Sequence, residues 1–150
     1  MLDYILPCLY SLIACAAFCI VYNLRGKVIF FSSFGGALGW LVYLLFHFLQ
    51  NDVTQSFLAV VVISVYAEIM SRIFKMPVTV FLVVGILPLV PGSGIYYTME
   101  YSINGDGAAF LNAGLHTLSI AGAIALGIAL VSSSVRLIYK ISARRKCVRG

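Results

Sequence analysis

Long apolar runs separated by short polar connections constrain this chain more than any other feature of its sequence. Each run is long enough to cross a hydrocarbon core of about 30 Å as a helix that rises about 1.5 Å per residue. Only 10% of the 150 residues are charged and 62% are hydrophobic, whereas a soluble domain carries about 25% charged residues. These features predict an all-α, multi-pass membrane protein.

The apolar runs predict five transmembrane helices. Together they form a single transmembrane domain at residues 1–142, followed by a basic cytoplasmic tail at residues 143–150. No basic n-region precedes the first run, so that run is expected to remain as a helix rather than to be removed as a signal peptide. The longest polar connection lies at residues 98–112. The five predicted helices span about residues 4–22, 28–49, 57–74, 78–97 and 113–141.

The charged residues predict how these helices are oriented. In the five-helix topology all ten Lys and Arg residues fall on one side of the membrane, and a topology with four or six helices would break this separation. The positive-inside rule then predicts an amino terminus outside and a carboxyl terminus in the cytoplasm. Because the basic residues sit at the ends of apolar runs, the net charge of +5 is read as an orientation signal and nucleic acid is not expected as a partner. The opposite side carries Asp3, Asp52, Glu100 and Asp106.

Small residues predict where the helices pack closely. Cys8, Cys15 and Cys19 share one face of the first helix, and no His or carboxylate in that run completes a metal site. They are therefore interpreted as small buried residues at a helix contact. In the second helix, Gly35 and Gly39 have the spacing that lets two helices approach closely.

The fourth run contains a stretch that breaks a helix. Pro88 and Pro91 each remove a backbone donor, and Gly92, Ser93 and Gly94 follow within the next three positions. The fourth helix is therefore predicted to be broken at Pro88–Gly94, with Pro88 roughly 15 Å from the cytoplasmic edge. Loose backbone at that depth is tolerated where it is buried in protein or lines a wet cavity. The alternative is a proline kink that serves packing alone.

This break is the leading candidate for a substrate site. A second helical segment that starts near Ser93 would direct the partial positive charge of its amino terminus to the break. Broken helices in transporters hold carboxylates in this way. The candidate substrate-binding residues are therefore Pro88, Pro91, Gly92, Ser93, Gly94 and Tyr96.

Three ionisable residues are candidates for gating or proton coupling. Glu68 is the only acidic residue within a run, and Arg72 follows it on the same helix face in the favourable order for an ion pair. His116 lies in the first turns of the fifth helix and could carry a proton near neutral pH. The alternatives are a salt bridge that neutralises the first two residues, and an interfacial hydrogen bond for His116.

No pattern in the sequence predicts catalysis. It contains no nucleophile–base pair with a known spacing, no phosphate-binding loop and no metal cluster. Catalytic residues, metal ligands and cofactors are therefore not expected, and the chain is predicted not to be an enzyme.

The segment at residues 67–99 carries a specific motif. Arg72 comes shortly before Pro77, then Pro88-Leu89-Val90-Pro91-Gly92 follows, and Tyr96 comes a few residues later. This pattern resembles the carboxy-terminal membrane half of the threonine/serine exporter family. The resemblance implies a bacterial inner-membrane protein that exports small carboxylate solutes. Those solutes are threonine or serine in fused members of the family, and dicarboxylates such as succinate in split members.

The resemblance also implies a larger partner subunit. The chain is similar to the small separate subunit of the family and lacks the amino-terminal half that fused members carry. It is therefore expected to be one membrane subunit of a two-component exporter. Because five helices form a small unit for a transporter, a homo-oligomer or a hetero-oligomer is expected. The alternative functions are a non-transporting assembly subunit and a small oligomeric channel, because glycine- and alanine-rich helix faces also suit docking.

Overall fold

The computed structural model describes the backbone from Leu2 to Val148 and the side chains of residues 6–140. Within that part of the chain every regular element is helical, which confirms the all-α class. Short 3₁₀ turns extend the second helix through Phe46–Leu49 and the fourth through Leu87–Leu89. The side chains of the predicted basic tail lie outside the described residues. The six helices are α1 (Leu2–Val21), α2 (Lys27–Leu45), α3 (Asp52–Phe74), α4 (Val78–Ile86), α5 (Gly92–Ile103) and α6 (Gly107–Val148).

The lengths of these helices support a multi-pass membrane protein. Three segments are long and apolar enough to cross a membrane alone, at Lys27–Leu49, Asp52–Phe74 and Gly107–Lys140. The pair Val78–Leu89 and Gly92–Ile103 passes the same test together, although it is bent by 55°. A shorter apolar helix lies at Leu6–Val21. By length and composition the described residues therefore hold three spans, or four if the bent pair is one span.

The connection after the break is much shorter than the sequence predicts. The polar residues 98–112 were expected to form the longest connection, and this expectation is wrong, because α5 continues to Ile103 and α6 begins at Gly107. Asp106 caps α6 by accepting a hydrogen bond from the Ala109 amide at 3.0 Å. Gly105 has a φ of 74°, a left-handed conformation that suits glycine in this tight turn. The polar residues of this stretch therefore indicate exposed helix surface rather than a long connection.

The centre of the bundle is formed by α2, α3 and α4, which approach one another at glycines. A methyl group added at Gly35 would lie 2.9 Å from Tyr66 Cε1, and one added at Gly85 would lie 2.7 Å from Ile63 Cγ2. Gly39 lies against the same isoleucine side chain. The Tyr66 hydroxyl also donates a hydrogen bond to the Phe31 carbonyl at 2.8 Å. The predicted close approach at Gly35 and Gly39 is confirmed.

The first helix packs on this centre through its cysteines. Cys15 and Cys19 are fully buried, and the Cys15 thiol donates to the Val84 carbonyl of α4 at 3.4 Å. Gly36 of α2 faces Cys15 so closely that a methyl group there would overlap the sulfur. The interpretation of these two cysteines as small buried residues at a helix contact is confirmed. Cys8 is less completely buried.

Candidate functional site

The structure contains the predicted helix break and shows how it is built. Helix α4 ends at Ile86, a 3₁₀ turn covers Leu87–Leu89, and α5 begins at Gly92. Between them Val90 is extended, with φ −63° and ψ 126°, while Pro91 has φ −75° and ψ 63°. The chain therefore leaves α-helical geometry at residues 87–91, with a 3₁₀ turn followed by two non-helical residues, because Pro88 and Pro91 cannot donate ladder hydrogen bonds. Gly92, Ser93 and Gly94, expected to be unwound, form the first turn of α5.

The first turn of α5 presents unsatisfied amide groups. The first amides of any helix have no acceptor within that helix. No side chain caps α5, whose cap position is occupied by Pro91. Ser93 and Gly94 therefore offer backbone donors where the helix dipole is positive. Such a helix terminus is a ready anion-binding element.

These residues open into one cavity, which we call the break cavity. It has a volume of about 400 Å³ and is walled by α2, α3, the break, α5 and α6. Sites of this size hold small organic ligands. All the predicted residues of the break line it, and so does His116. The lining residues are Trp40, Tyr43, Asp52, Ser56, Pro88, Leu89, Val90, Pro91, Gly92, Ser93, Gly94, His116, Thr117 and Ile120.

The break cavity runs from the middle of the bundle to one of its ends. At the inner end, a methyl group added at Gly36 would lie 3.7 Å from Pro88 Cγ, and Gly36 lies halfway along α2 (Lys27–Leu45). At the outer end lies Asp52, the first residue of α3. Pro88 thus lies near mid-height in the bundle.

Polar side chains from three helices meet at the mouth of the break cavity. The Tyr43 hydroxyl donates to Asp52 Oδ1 at 3.4 Å. His116 Nε2 lies 3.8 Å from Asp52 Oδ2, and the side chains of His116 and Asp52 are 56% and 52% exposed. These two side chains are therefore accessible to water as well as to one another, which suits the entrance of a site.

Two further polar groups lie in the walls of the break cavity. The Trp40 indole Nε1 is a buried donor without a hydrogen-bond partner, and the Trp40 ring stacks on Tyr43 with centroids 5.3 Å apart. Ser56 of α3 is only 3% exposed. Buried polar groups are normally paired, and the indole donor is one that a bound solute could satisfy.

A comparison with protein families identifies the class of this chain. Residues 7–134 match the family model described as Threonine/Serine exporter, ThrE. The chain belongs to the threonine/serine exporter family. The match includes every residue that lines the break cavity, and it indicates a transport role across a membrane. Comparisons with curated proteins and with solved structures found no match.

The Glu68–Arg72 pair lies outside the break cavity. Arg72 Nη2 is 3.3 Å from Glu68 Oε2, and the guanidinium of Arg72 lies 3.9 Å above the centre of the Tyr139 ring. The three residues line a separate groove of about 280 Å³ between α3 and α6, which we call the Arg72 groove. The Arg72 groove lies near the carboxyl end of α3, whereas Asp52 lies at its amino end.

Tyr96 is the one candidate binding residue of the exporter that the break cavity does not include. Its side chain is 65% exposed and lines a shallow groove on α5 with Met99 and Glu100. Among the described residues, no group of three or more His, Cys, Asp or Glu side chains could hold a metal ion.

Sequence reasoning missed the contribution of α3 to the break cavity. The polar stretch at residues 50–56 was interpreted as a connection, whereas α3 begins at Asp52 and Ser56 already lies one turn inside it. A signal was present, because Asn51 is a typical helix-capping residue. Its side chain accepts a hydrogen bond from the Val53 amide at 3.1 Å.

Proposed function

We propose that the break cavity is the solute site of an exporter for small hydroxy amino acids, and that this chain is one membrane subunit of it. The observation that carries this proposal is the uncapped amino terminus of α5 at a break in a membrane helix pair. Its amides and dipole favour the carboxylate of the solute. The volume of about 400 Å³ accommodates serine or threonine together with water.

The residues around the break have distinct roles in this proposal. Ser93 and Gly94 bind the carboxylate through their amides, while Pro88 and Pro91 keep these amides out of a continuous helix. The hydroxyls of Ser56 and Thr117, both in the cavity wall, are placed to bind the solute hydroxyl. His116 stands at the mouth and controls entry, with proton coupling as its further role.

Gating at the other end is assigned to the Glu68–Arg72 pair. Arg72 connects α3 to α6 through its contact with the Tyr139 ring, while its ion pair with Glu68 lies within α3 and orients the guanidinium. A guanidinium held between a carboxylate and an aromatic face can separate when the two helices move apart. We call this contact the latch, because it would hold α3 and α6 together in one state and release them in another.

Exposed helix surface supports the proposal of a larger partner subunit. No residue of α5 is buried, although this helix forms one wall of the break cavity. On α6, Gly127 lies against Val60, but a row of small residues faces outward. Small residues allow close helix contact in membranes, so this surface suits a second subunit. The outward row comprises Ala121, Gly122, Ala125 and Ala129.

The topology proposed for this subunit has five spans in a bacterial inner membrane. Helix α1 is the first span, and the bent pair of α4 and α5 is the fourth. The amino terminus is outside and the carboxyl terminus is cytoplasmic. The distribution of all ten Lys and Arg residues on one side supports this arrangement. The break cavity then opens to the outside and the Arg72 groove lies near the cytoplasm.

Solute counterflow in everted membrane vesicles from the native host tests the proposed function. Such vesicles contain the chain together with any partner, and counterflow needs no knowledge of the driving ion. We expect vesicles preloaded with unlabelled serine to accumulate labelled serine or threonine, and vesicles from a deletion strain not to do so. Equal uptake of labelled serine and threonine in both vesicle types would refute the exporter assignment. Equal uptake of labelled succinate in both types would also refute its dicarboxylate variant. Equilibration of labelled serine without such accumulation, in liposomes that hold this chain alone, would favour the channel alternative over the two-component exporter.

A further inference from the structure

We infer that Asp52 binds the ammonium group of the exported amino acid and thereby makes the break cavity selective for zwitterions. This inference rests on the proposed function of the break cavity. It adds a specificity-determining residue that lies on α3, away from the proline-glycine motif of the break.

The geometry supplies two poles of opposite sign. One pole is the positive amino terminus of α5 at Ser93 and Gly94, and the other is the carboxylate of Asp52. Two consecutive residues of α6 connect them. His116 lies 3.8 Å from Asp52, and Thr117 lies so close to Gly94 that a methyl group there would overlap its hydroxyl. Both poles therefore lie in the wall of one cavity, where a solute that carries an ammonium and a carboxylate group can face them together.

The charge of the break cavity favours a zwitterion over a dicarboxylate. Asp52 is the only carboxylate among its lining residues, which include neither Lys nor Arg. A dicarboxylate would place a second negative charge near Asp52 with no fixed cation to balance it. An ammonium group instead gives Asp52 a charge-assisted hydrogen bond.

Polar groups in the walls of the break cavity are compatible with a polar ligand. The Trp40 indole Nε1 is buried and has no partner. Ser56 is 3% exposed and lines the break cavity. The Asp52 carboxylate is meanwhile oriented by the Tyr43 hydroxyl at 3.4 Å. A polar solute would satisfy these groups together.

The test compares serine with glycerate, which carries a hydroxyl in place of the ammonium group. Everted vesicles of the native host are prepared with the unaltered chain, with Asp52→Asn, and with Asp106→Asn. Asp106 is a matched control because it caps α6 through the Ala109 amide and does not line the break cavity. Counterflow of labelled serine and labelled glycerate is measured at subsaturating concentration, and the amount of chain in each membrane is measured by immunoblot.

We expect Asp52→Asn to lower serine counterflow on the order of ten- to a hundredfold, the scale of one lost charge-assisted hydrogen bond, and to leave glycerate counterflow unchanged or raised. Asp106→Asn should leave the ratio of the two solutes unchanged. Equal loss of both solutes in Asp52→Asn, or an unchanged ratio, would overturn the inference while leaving the exporter assignment intact. Absence of serine counterflow with the unaltered chain would overturn the proposed function, and this inference with it.

Discussion

The contact between α5 and α6 at Gly94 yields the sharpest quantitative prediction. A methyl group at Gly94 would overlap the Thr117 hydroxyl oxygen and lie 3.3 Å from Thr117 Cβ and Cγ2. Gly94→Ala therefore forces α5 away from α6 at the edge of the break cavity. Thr117→Ala removes the overlapping atoms, and it breaks no bond between helices because the Thr117 hydroxyl donates to Ala113 within α6.

The expected energies follow from these contacts. Overpacking costs about 1–3 kcal/mol, while replacing a helical glycine by alanine returns at most about 1 kcal/mol. Gly94→Ala should thus lower the free energy of unfolding by about 0–3 kcal/mol. In the double variant Gly94→Ala/Thr117→Ala the overlap disappears, so the coupling energy should be at least about 1 kcal/mol in the stabilising direction.

The coupling energy is measured by unfolding the purified full-length chain in mixed micelles and comparing the four variants of the cycle. Gly92→Ala is the matched control, because nothing lies within 4 Å of a methyl group at that position and the residue begins the same helix. Its effect should stay within about 0.5 kcal/mol. Additive effects of Gly94→Ala and Thr117→Ala, within about 0.5 kcal/mol, would refute the packing described for α5 and α6.

Two further predictions address the ends of the bundle. Arg72→Lys should lower serine counterflow several-fold at unchanged protein level, because lysine cannot keep both the ion pair and the planar contact with Tyr139. Lys75→Arg, one residue beyond α3, is the control, and equal activity of both variants would contradict the latch. For the topology, alkaline phosphatase fused after Asn51 or Gly105 should be active and fused after Met76 should be inactive, since the enzyme works only outside the cytoplasm. Activity after Met76 would overturn the five-span proposal.

The sequence predicted those features of the fold that depend on local chemistry. Two prolines within four positions were sufficient to locate the break, because each removes a backbone donor whatever surrounds it. The spacing of Cys15 and Cys19 identified a buried face, since residues at that spacing share one side of a helix. The motif from Arg72 to Tyr96 also identified the family correctly, as the match to residues 7–134 confirms.

Features that depend on packing between distant segments were not predicted. The break cavity exists because Asp52 meets Tyr43 and His116, residues that lie on three different helices. Hydropathy misplaced the start of α3 and the length of the connection before α6, because polar residues such as Glu100 and Ser102 lie on exposed helix surface. The rotation of α5, which turns Tyr96 away from the break cavity, also depends on how that helix packs against α6.

The central claim is that a solute occupies the break cavity beside the first turn of α5. Its most direct test is the rate at which a water-soluble thiol reagent modifies Ser93→Cys in native-host membranes, with and without serine. The four native cysteines are first replaced by alanine. Ser102→Cys, on the same helix but outside the break cavity, is the control. We predict that serine slows the modification of Ser93→Cys and leaves that of Ser102→Cys unchanged. The claim would be contradicted if Ser93→Cys were modified at the same rate with and without serine. It would also be contradicted if the reagent did not modify Ser93→Cys from either side of the membrane.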